Sequence, residues 1–367
     1  MRPHHRKAKQ DSAPEAPPGA PARFFLGPAQ WIGGLGAWEA AVPVLAAWPQ
    51  PIGLLAEAGL LRRFRQPLVQ AWLEAGLHIE LLSLPDGADC TQLGVEAVLA
   101  QAGPKSVKSL LGLGGGRVLD LAKLSAQRAG WRLALAPTSA ATSACGTSVA
   151  VRNGPLGAFE AVEDLAAPAE LCLVELAALR EAPPRLLAAG LADTYAKWLE
   201  WKAVESSPQG FGAGAGWALA RQASETCAAL GEESLRDPFS SAFEACVEAC
   251  LLWSAAASCA GQAPAAAAHS LANALTRQAA GKELLHGEAV GLGLLWQESL
   301  LAQAGRGNIE GEALSELLGR WGLPLSLPSG LDLERLCADA MAPEETVHLL
   351  GLELDAALAL AHLPRGR

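Results

Sequence analysis

Two sets of residues in this chain could do chemistry. The first is LGLGGGRVLDLAK, residues 111–123, where Gly114, Gly115 and Gly116 close a short apolar run. Glycines there let a diphosphate reach the backbone and permit unusual φ/ψ angles. The N–H groups opening the next helix would face the anion, with the positive end of the helix dipole behind them. The stretch is neither G-x-G-x-x-G nor G-x-x-x-x-G-K-[ST], so a phosphate cradle and an ordinary tight βα turn are both open. The second set is Asp193 in AAGLADTYAKWLEW, His269 in AAAAHSLANALT and His286 in KELLHGEAVGLG. A carboxylate and two neutral imidazoles, with coordination positions left open, would suit catalytic Zn²⁺ or Fe²⁺. Taken singly, a helical His is more often a packed core residue and a helical Asp a solvated or capping one. Composition and spacing therefore leave this site open.

The elements that must position these residues are legible in outline. His269 and His286 are 17 residues apart. At about 100° per residue, one straight helix cannot aim both at one ion. Gly281 between them offers a break where two helices could meet at a corner. Asp193 follows Gly190 in a predicted amphipathic helix whose apolar surface includes Leu187, Tyr195, Trp198 and Leu199. In the N-terminal half, short apolar runs alternate with helical patterns such as Leu60–Ala75. Strands are expected at Phe24–Leu26, Ile52–Ala56, His78–Leu84, Ser109–Leu113, Arg132–Ala136 and Cys172–Glu175. That alternation predicts a parallel, doubly wound α/β sheet, whose ligands bind at the carboxyl ends of its strands. Gly114–Gly116 lie at one such end. Glu57 closes another; it could accept hydrogen bonds from an adenosine ribose, favouring NAD over NADP, or be an ordinary loop carboxylate.

From about Ala177 the chain turns Ala/Leu-rich, with helical periodicity and few β-branched residues, which predicts an all-helical second half. The expected organisation is a disordered tail over 1–22, an α/β dinucleotide-binding domain over 23–176 and a helical metal-binding domain over 177–367. The tail is basic, then Pro/Ala-rich, and lacks the apolar core of a secretory signal. With 51% apolar and 18% charged residues among 367, the chain can bury a large core. Its net charge of −10 argues against nucleic acid or anionic membrane as a partner. The uncharged stretch Leu251–Thr276 is mostly Ala and carries Pro264, His269 and Asn273, too little apolar bulk for a membrane span. Eight cysteines without a C-x-x-C motif suit reduced thiols and a cytoplasmic location.

Taken in order, GGGRVLDLAK, APTSAATSACGTSVAV, LVELAALREAPPRLLAAGLADTYAKWLEW, AAAAHSLANALT and LLHGEAVGLGLL resemble the iron-containing alcohol dehydrogenase superfamily, specifically its glycerol dehydrogenase-like branch. The likeness spans roughly residues 24–360. It implies a Rossmann-like parallel sheet that binds the dinucleotide, followed by an all-α metal-binding domain of the dehydroquinate synthase-like fold, with the active site in the cleft between them. It places the metal ligands on Asp193, His269 and His286. It places cofactor contacts on Gly115, Gly116, Thr138, Thr142, Thr147 and Val149, with Gly114 and Asp120 in the same motif and Glu57 at the ribose.

The implied activity is hydride transfer between NAD(P), with NAD favoured, and the CH–OH carbon of a small alcohol, polyol or 2-hydroxy acid. One divalent metal, zinc or iron, assists. A homo-oligomer is the implied assembly. Three positions depart from the pattern. Ser143 stands where the branch carries a substrate-binding Asp, Ala272 where it carries a second His, and Ala192 where it carries a Gly before the metal-binding Asp. These departures leave a weak or non-catalytic cofactor-binding homologue as an alternative. A dehydroquinate synthase-like lyase is less favoured, because its ligand at the position of Asp193 is Glu.

Overall fold

The computed structural model describes residues 25–365, apart from 155–156, 205–210, 262, 308 and 310; the expected tail over 1–22 lies outside the described residues. The described residues form eight strands. These are β1 (Gln30–Gly34), β2 (Ile52–Glu57), β3 (Ile79–Leu84), β4 (Ser109–Gly114), β5 (Arg132–Pro137), β6 (Val149–Asn153), β7 (Phe159–Asp164) and β8 (Leu171–Glu175). Six of them make a sheet in the order β1-β8-β5-β4-β2-β3, parallel at every pairing. Alternate side chains point to opposite faces. Leu54, Leu111, Ala134 and Leu171 pack with Trp38, Leu45, Phe64 and Trp72 on one face. Leu55, Leu110, Leu133 and Leu135 pack on the other, where helices Gln92–Ala102 and Gly116–Ala129 lie. Burial on both faces is why β2, β4 and β5 read as unbroken apolar runs.

The connection from β2 leads outward to β3, whereas that from β4 leads the other way to β5. The crevice between the carboxyl ends of β2 and β4 is therefore the topological switch point, where open α/β sheets bind ligands. Glu57 ends β2 and Gly114 ends β4.

Three local expectations need correction. Phe25 and Leu26 are irregular, Phe24 lies outside the described residues, and the first strand is Gln30–Gly34 instead. Only Trp31 and Ile32 give QWIGG an apolar signal, and the glycines after them look like a turn; pairing with β8 makes it a strand. The antiparallel hairpin β6–β7 was not expected, because the burial pattern of FEAVED alternates between half-buried and exposed. Finally, the expected helix Leu60–Ala75 runs from Ala58 to Glu74 and contains a wider π-type stretch at Arg65–Gln70.

After β8 every described element is helical. Helix Pro184–Val204 is not amphipathic as expected but enclosed on most sides, with Leu187, Tyr195, Leu199 and Trp201 all buried. Helices Ala213–Arg236 and His286–Gln303 both pack along it. Among the described residues one run, Ser241–Ala260, is long and apolar enough to cross a membrane by length and composition, and 67% of its apolar window is buried inside the protein. All eight cysteines are free and buried.

Candidate active site

Gly115 caps helix Gly116–Ala129 in an extended conformation, φ −81° and ψ 179°. None of Gly114, Gly115 and Gly116 has a positive φ, so these glycines supply room and not unusual backbone angles. A Cβ on Gly114 would lie 2.8 Å from Val118 Cβ, and one on Gly116 would lie 2.9 Å from Thr142 Oγ1. A Cβ on Gly115 would meet nothing within 4 Å. Gly114 and Gly116 thus serve close packing, whereas Gly115 borders open space at a helix N-terminus, where free N–H groups favour an anion. The Thr138 N–H donates to Gly114 O at 3.0 Å, tying the loop after β5 to this turn. Glu57 lies on the neighbouring strand β2, and one of its oxygens accepts from Gly87 N at 3.0 Å.

Asp120, Thr147 and Val149 gather elsewhere, around the buried Lys123. Its ammonium donates to Asp120 Oδ1 at 2.8 Å, to Thr147 Oγ1 at 3.1 Å and to the Val149 carbonyl at 2.7 Å. The second Asp120 oxygen accepts from Val151 N at 3.1 Å. Burial pushes the Asp120 carboxyl up, against the pull of Lys123. This knot fastens the helix after the glycine turn to β6. The expected cofactor set therefore falls into two groups: Gly114–Gly116, Thr138 and Thr142 at the turn, and Asp120, Thr147 and Val149 behind it.

Asp193, His269 and His286 meet. Asp193 Oδ1 lies 3.4 Å from His269 Nε2 and 3.6 Å from His286 Nε2. One donor atom from each residue lies within 4.8 Å of the others. As anticipated, the two imidazoles come from separate helices, Ala267–Leu275 and His286–Gln303, joined through a corner at Gly281.

Glycines set how closely these elements approach. A Cβ on Gly190 would lie 1.8 Å from Ala140 O, one on Gly287 1.8 Å from Ala189 O, and one on Gly293 2.2 Å from Ala268 O. Each is backbone against backbone. Gly190 seats the loop after β5 on the helix of Asp193. Gly287 seats the helix of His286 on that same helix, and Gly293 seats it on the helix of His269. Arg185 and Glu288 clamp the junction at 2.5 and 2.7 Å, and Glu288 also accepts from Leu285 N at 2.8 Å.

Two residues that sequence reasoning missed complete the cluster. Glu200, fully buried, accepts from the Ala266 and His269 backbone N–H groups at 2.7 and 3.1 Å. It thereby caps helix Ala267–Leu275 from outside, since Ala266 itself offers no side-chain cap. Its other oxygen lies 2.6 Å from His269 Nδ1, so Nδ1 carries the hydrogen and Nε2 is turned toward Asp193. Lys197 stands one turn after Asp193, and its ammonium lies 3.4 Å from Ser143 Oγ. The spacing 193, 197, 200 on one helical face was the available signal. Ala272 is buried in the apolar core, and Ala192 packs toward Gly291.

Burial alone would raise the Asp193 carboxyl, but the His269 and His286 imidazoles beside it outweigh that and hold the group well below the usual carboxylate range. Burial alone would lower the His269 imidazole; Glu200 and Asp193 instead push it up to about 10. Three converging donors, one with its far nitrogen fixed by a carboxylate, fit a divalent cation. Replacing Glu200 by Gln is expected to weaken metal affinity roughly 10–100-fold, read by titration with zinc against a chelator. Unaltered affinity would leave Glu200 as a helix cap alone.

No family model matches the chain. A glycerol dehydrogenase of Pseudomonas putida is 32% identical over 296 residues, covering 76% of this chain and 79% of the relative. An uncharacterized oxidoreductase of Synechocystis sp. is 32% identical over 258 residues, and this chain spans 66% of that relative's length, with 69% of its own residues aligned. Among solved structures, a probable glycerol dehydrogenase from Sinorhizobium meliloti 1021 superposes with a TM-score of 0.80 at 25% identity, over 93% of this chain and 97% of that one.

Proposed function

Because the chain belongs to the iron-containing alcohol dehydrogenase superfamily, we infer that it is a metal-dependent, NAD(P)-linked oxidoreductase acting on CH–OH carbons. The observation that carries this is the convergence of Asp193, His269 and His286 within 4.8 Å, in a chain whose glycine turn leaves space at Gly115 for a diphosphate. Asp193, His269 and His286 hold one divalent cation, zinc or iron. When bound, the metal lowers the pKa of the substrate hydroxyl and the nicotinamide takes up the hydride.

The chain's own residues position these groups. Glu200 keeps the His269 ring in the tautomer that ligates. Helix N–H groups at Gly115 and Gly116 receive the cofactor diphosphate, with Thr138 and Thr142 beside it. Asp120, Thr147 and Val149 hold the loop's far side through Lys123. Ser143 faces the substrate.

The α/β half, 23–176, and the helical half, 177–367, form two domains of the dehydroquinate synthase-like fold, with the site in their cleft. A homo-oligomer and a cytoplasmic location accompany this reading. The test is purified, metal-loaded protein with NAD⁺ or NADP⁺ against glycerol, and with NADH or NADPH against 2-oxo acids and simple aldehydes. Absence of turnover with all of them, despite bound metal, overturns it.

Glu57 selects NAD. Its carboxylate at the end of β2 accepts from a ribose hydroxyl and repels a 2′-phosphate. Glu57→Ser is expected to raise KM for NAD about tenfold, the equivalent of one charge-assisted hydrogen bond, and to improve NADP use in parallel kinetics. An unchanged NAD/NADP ratio would restrict Glu57 to holding Gly87.

A further inference from the structure

Lys197 is a cation held among neutral groups. Its ammonium donates to Ser258 Oγ at 2.7 Å, to the Ser254 carbonyl at 3.1 Å and to Ser143 Oγ at 3.4 Å. No carboxylate forms an ion pair with it among the described residues. A half-buried ammonium whose hydrogen-bond partners are all neutral is only partly compensated, and burial pulls it below the usual lysine range while Asp193 pulls it the other way. Ser143 is only 7% exposed. Its oxygen receives a hydrogen from Lys197, which leaves its own O–H free to donate, and no acceptor for it is found among the described residues. Both residues adjoin the metal position: Lys197 is one turn from Asp193, and the loop of Ser143 is seated on that helix at Gly190 and against Ala255 at Gly146.

We propose that Ser143 and Lys197 form an anion subsite for the substrate carboxylate, making this chain selective for 2-hydroxy and 2-oxo acids. The proposal rests on Asp193, His269 and His286 being the metal site. In a 2-hydroxy acid the carboxylate is attached to the carbon that bears the hydroxyl. A hydroxyl directed at the metal position therefore carries the carboxylate to a neighbouring group, where the Ser143 hydroxyl donates to it with the Lys197 charge behind. In the reaction, the carbinol C–H bond breaks and its electron pair goes with the hydride to the nicotinamide. The hydroxyl proton is released as the C=O bond forms, and the carboxylate is unchanged. A carboxylate at position 143 would pair with Lys197, cancel its charge and leave the pocket to neutral polyols.

The test uses full-length, metal-loaded protein: oxamate is titrated by calorimetry onto the protein with bound NADH, beside kinetics on glyoxylate with NADH and on glycerol with NAD⁺. Wild type is expected to bind oxamate and to favour glyoxylate. Lys197→Gln and Ser143→Asp are each expected to lose about tenfold or more in oxamate affinity. Lys197→Arg should retain most of it, and Ser143→Asp should shift relative kcat/KM toward glycerol. Undiminished oxamate affinity in a folded, metal-replete Lys197→Gln protein would make Lys197 only a tie between loop and helix, and would overturn the proposal. Glycerol turnover without oxamate binding in wild type would also overturn it, while leaving the metal assignment intact. Full metal content in Asp193→Asn would instead overturn the metal assignment.

Discussion

Replacing Asp193 by Ala is expected to empty the metal site and lower kcat/KM by roughly 10³-fold or more, the several kcal/mol that a Lewis acid supplies at a developing alkoxide. Asp193 is the hub: both imidazoles approach its Oδ1, and its carboxylate is the only formal negative charge in the three-residue donor set. Without it, the two imidazoles remain near the Lys197 ammonium, with no carboxylate left among the three donor positions. His269 stays held by Glu200, so the helix of His269 keeps its cap and the protein should remain folded. Metal content by elemental analysis, turnover and a thermal melt on the same sample separate these effects. Retained metal with retained activity would remove Asp193 from the ligand set. In wild type, a proton and the cation compete for His269 Nε2. With that imidazole pushed up to about 10 in the metal-free protein, metal affinity should rise with pH toward that value.

Gly287→Ala is expected to be the most destabilising single methyl in the site. The added Cβ would lie 1.8 Å from Ala189 O and 2.4 Å from its carbonyl carbon. Both belong to a helix backbone, which cannot rotate away as a side chain would. Relief requires helix His286–Gln303 to move off helix Pro184–Val204, carrying His286 and Glu288 with it. The expected cost is roughly 3 kcal/mol or more in chemical denaturation, at or beyond the upper end for overpacking, with loss of metal binding in whatever protein folds. Gly291→Ala, one turn further along the same helix, is the internal control. Its Cβ would meet its nearest neighbours at 3.8–3.9 Å, so the change should be neutral or slightly stabilising through helix propensity. Equal stability of the two variants would contradict the backbone contact.

The parts of the fold visible from local sequence are those whose burial is one-dimensional. β2, β4 and β5 lie between two helical layers, so every residue in their middles is apolar and the run stands out. β1 pairs with a single neighbour at the sheet edge and ends in two glycines, so its signal is only two residues long. The hairpin β6–β7 stands apart from the main sheet, and its register with the glycine helix depends on Lys123 and Asp120. Helix Pro184–Val204 looked amphipathic in isolation. Neighbours that come from residues 213–303 enclose it, and no local pattern records them.

The same division runs through the site. The chemical inventory is readable along the chain: a glycine turn where a strand becomes a helix, a carboxylate, two imidazoles and a break between them. These follow from residue type and short-range geometry, which act over a few residues. The tertiary structure alone decided convergence. Asp193, His269 and His286 lie up to 93 residues apart, and they meet because Gly190, Gly287 and Gly293 let backbones touch where any side chain would hold them off. It also decided which neutral groups surround Lys197, since Ser143, Ser254 and Ser258 come from a loop and a helix that meet only in the folded chain.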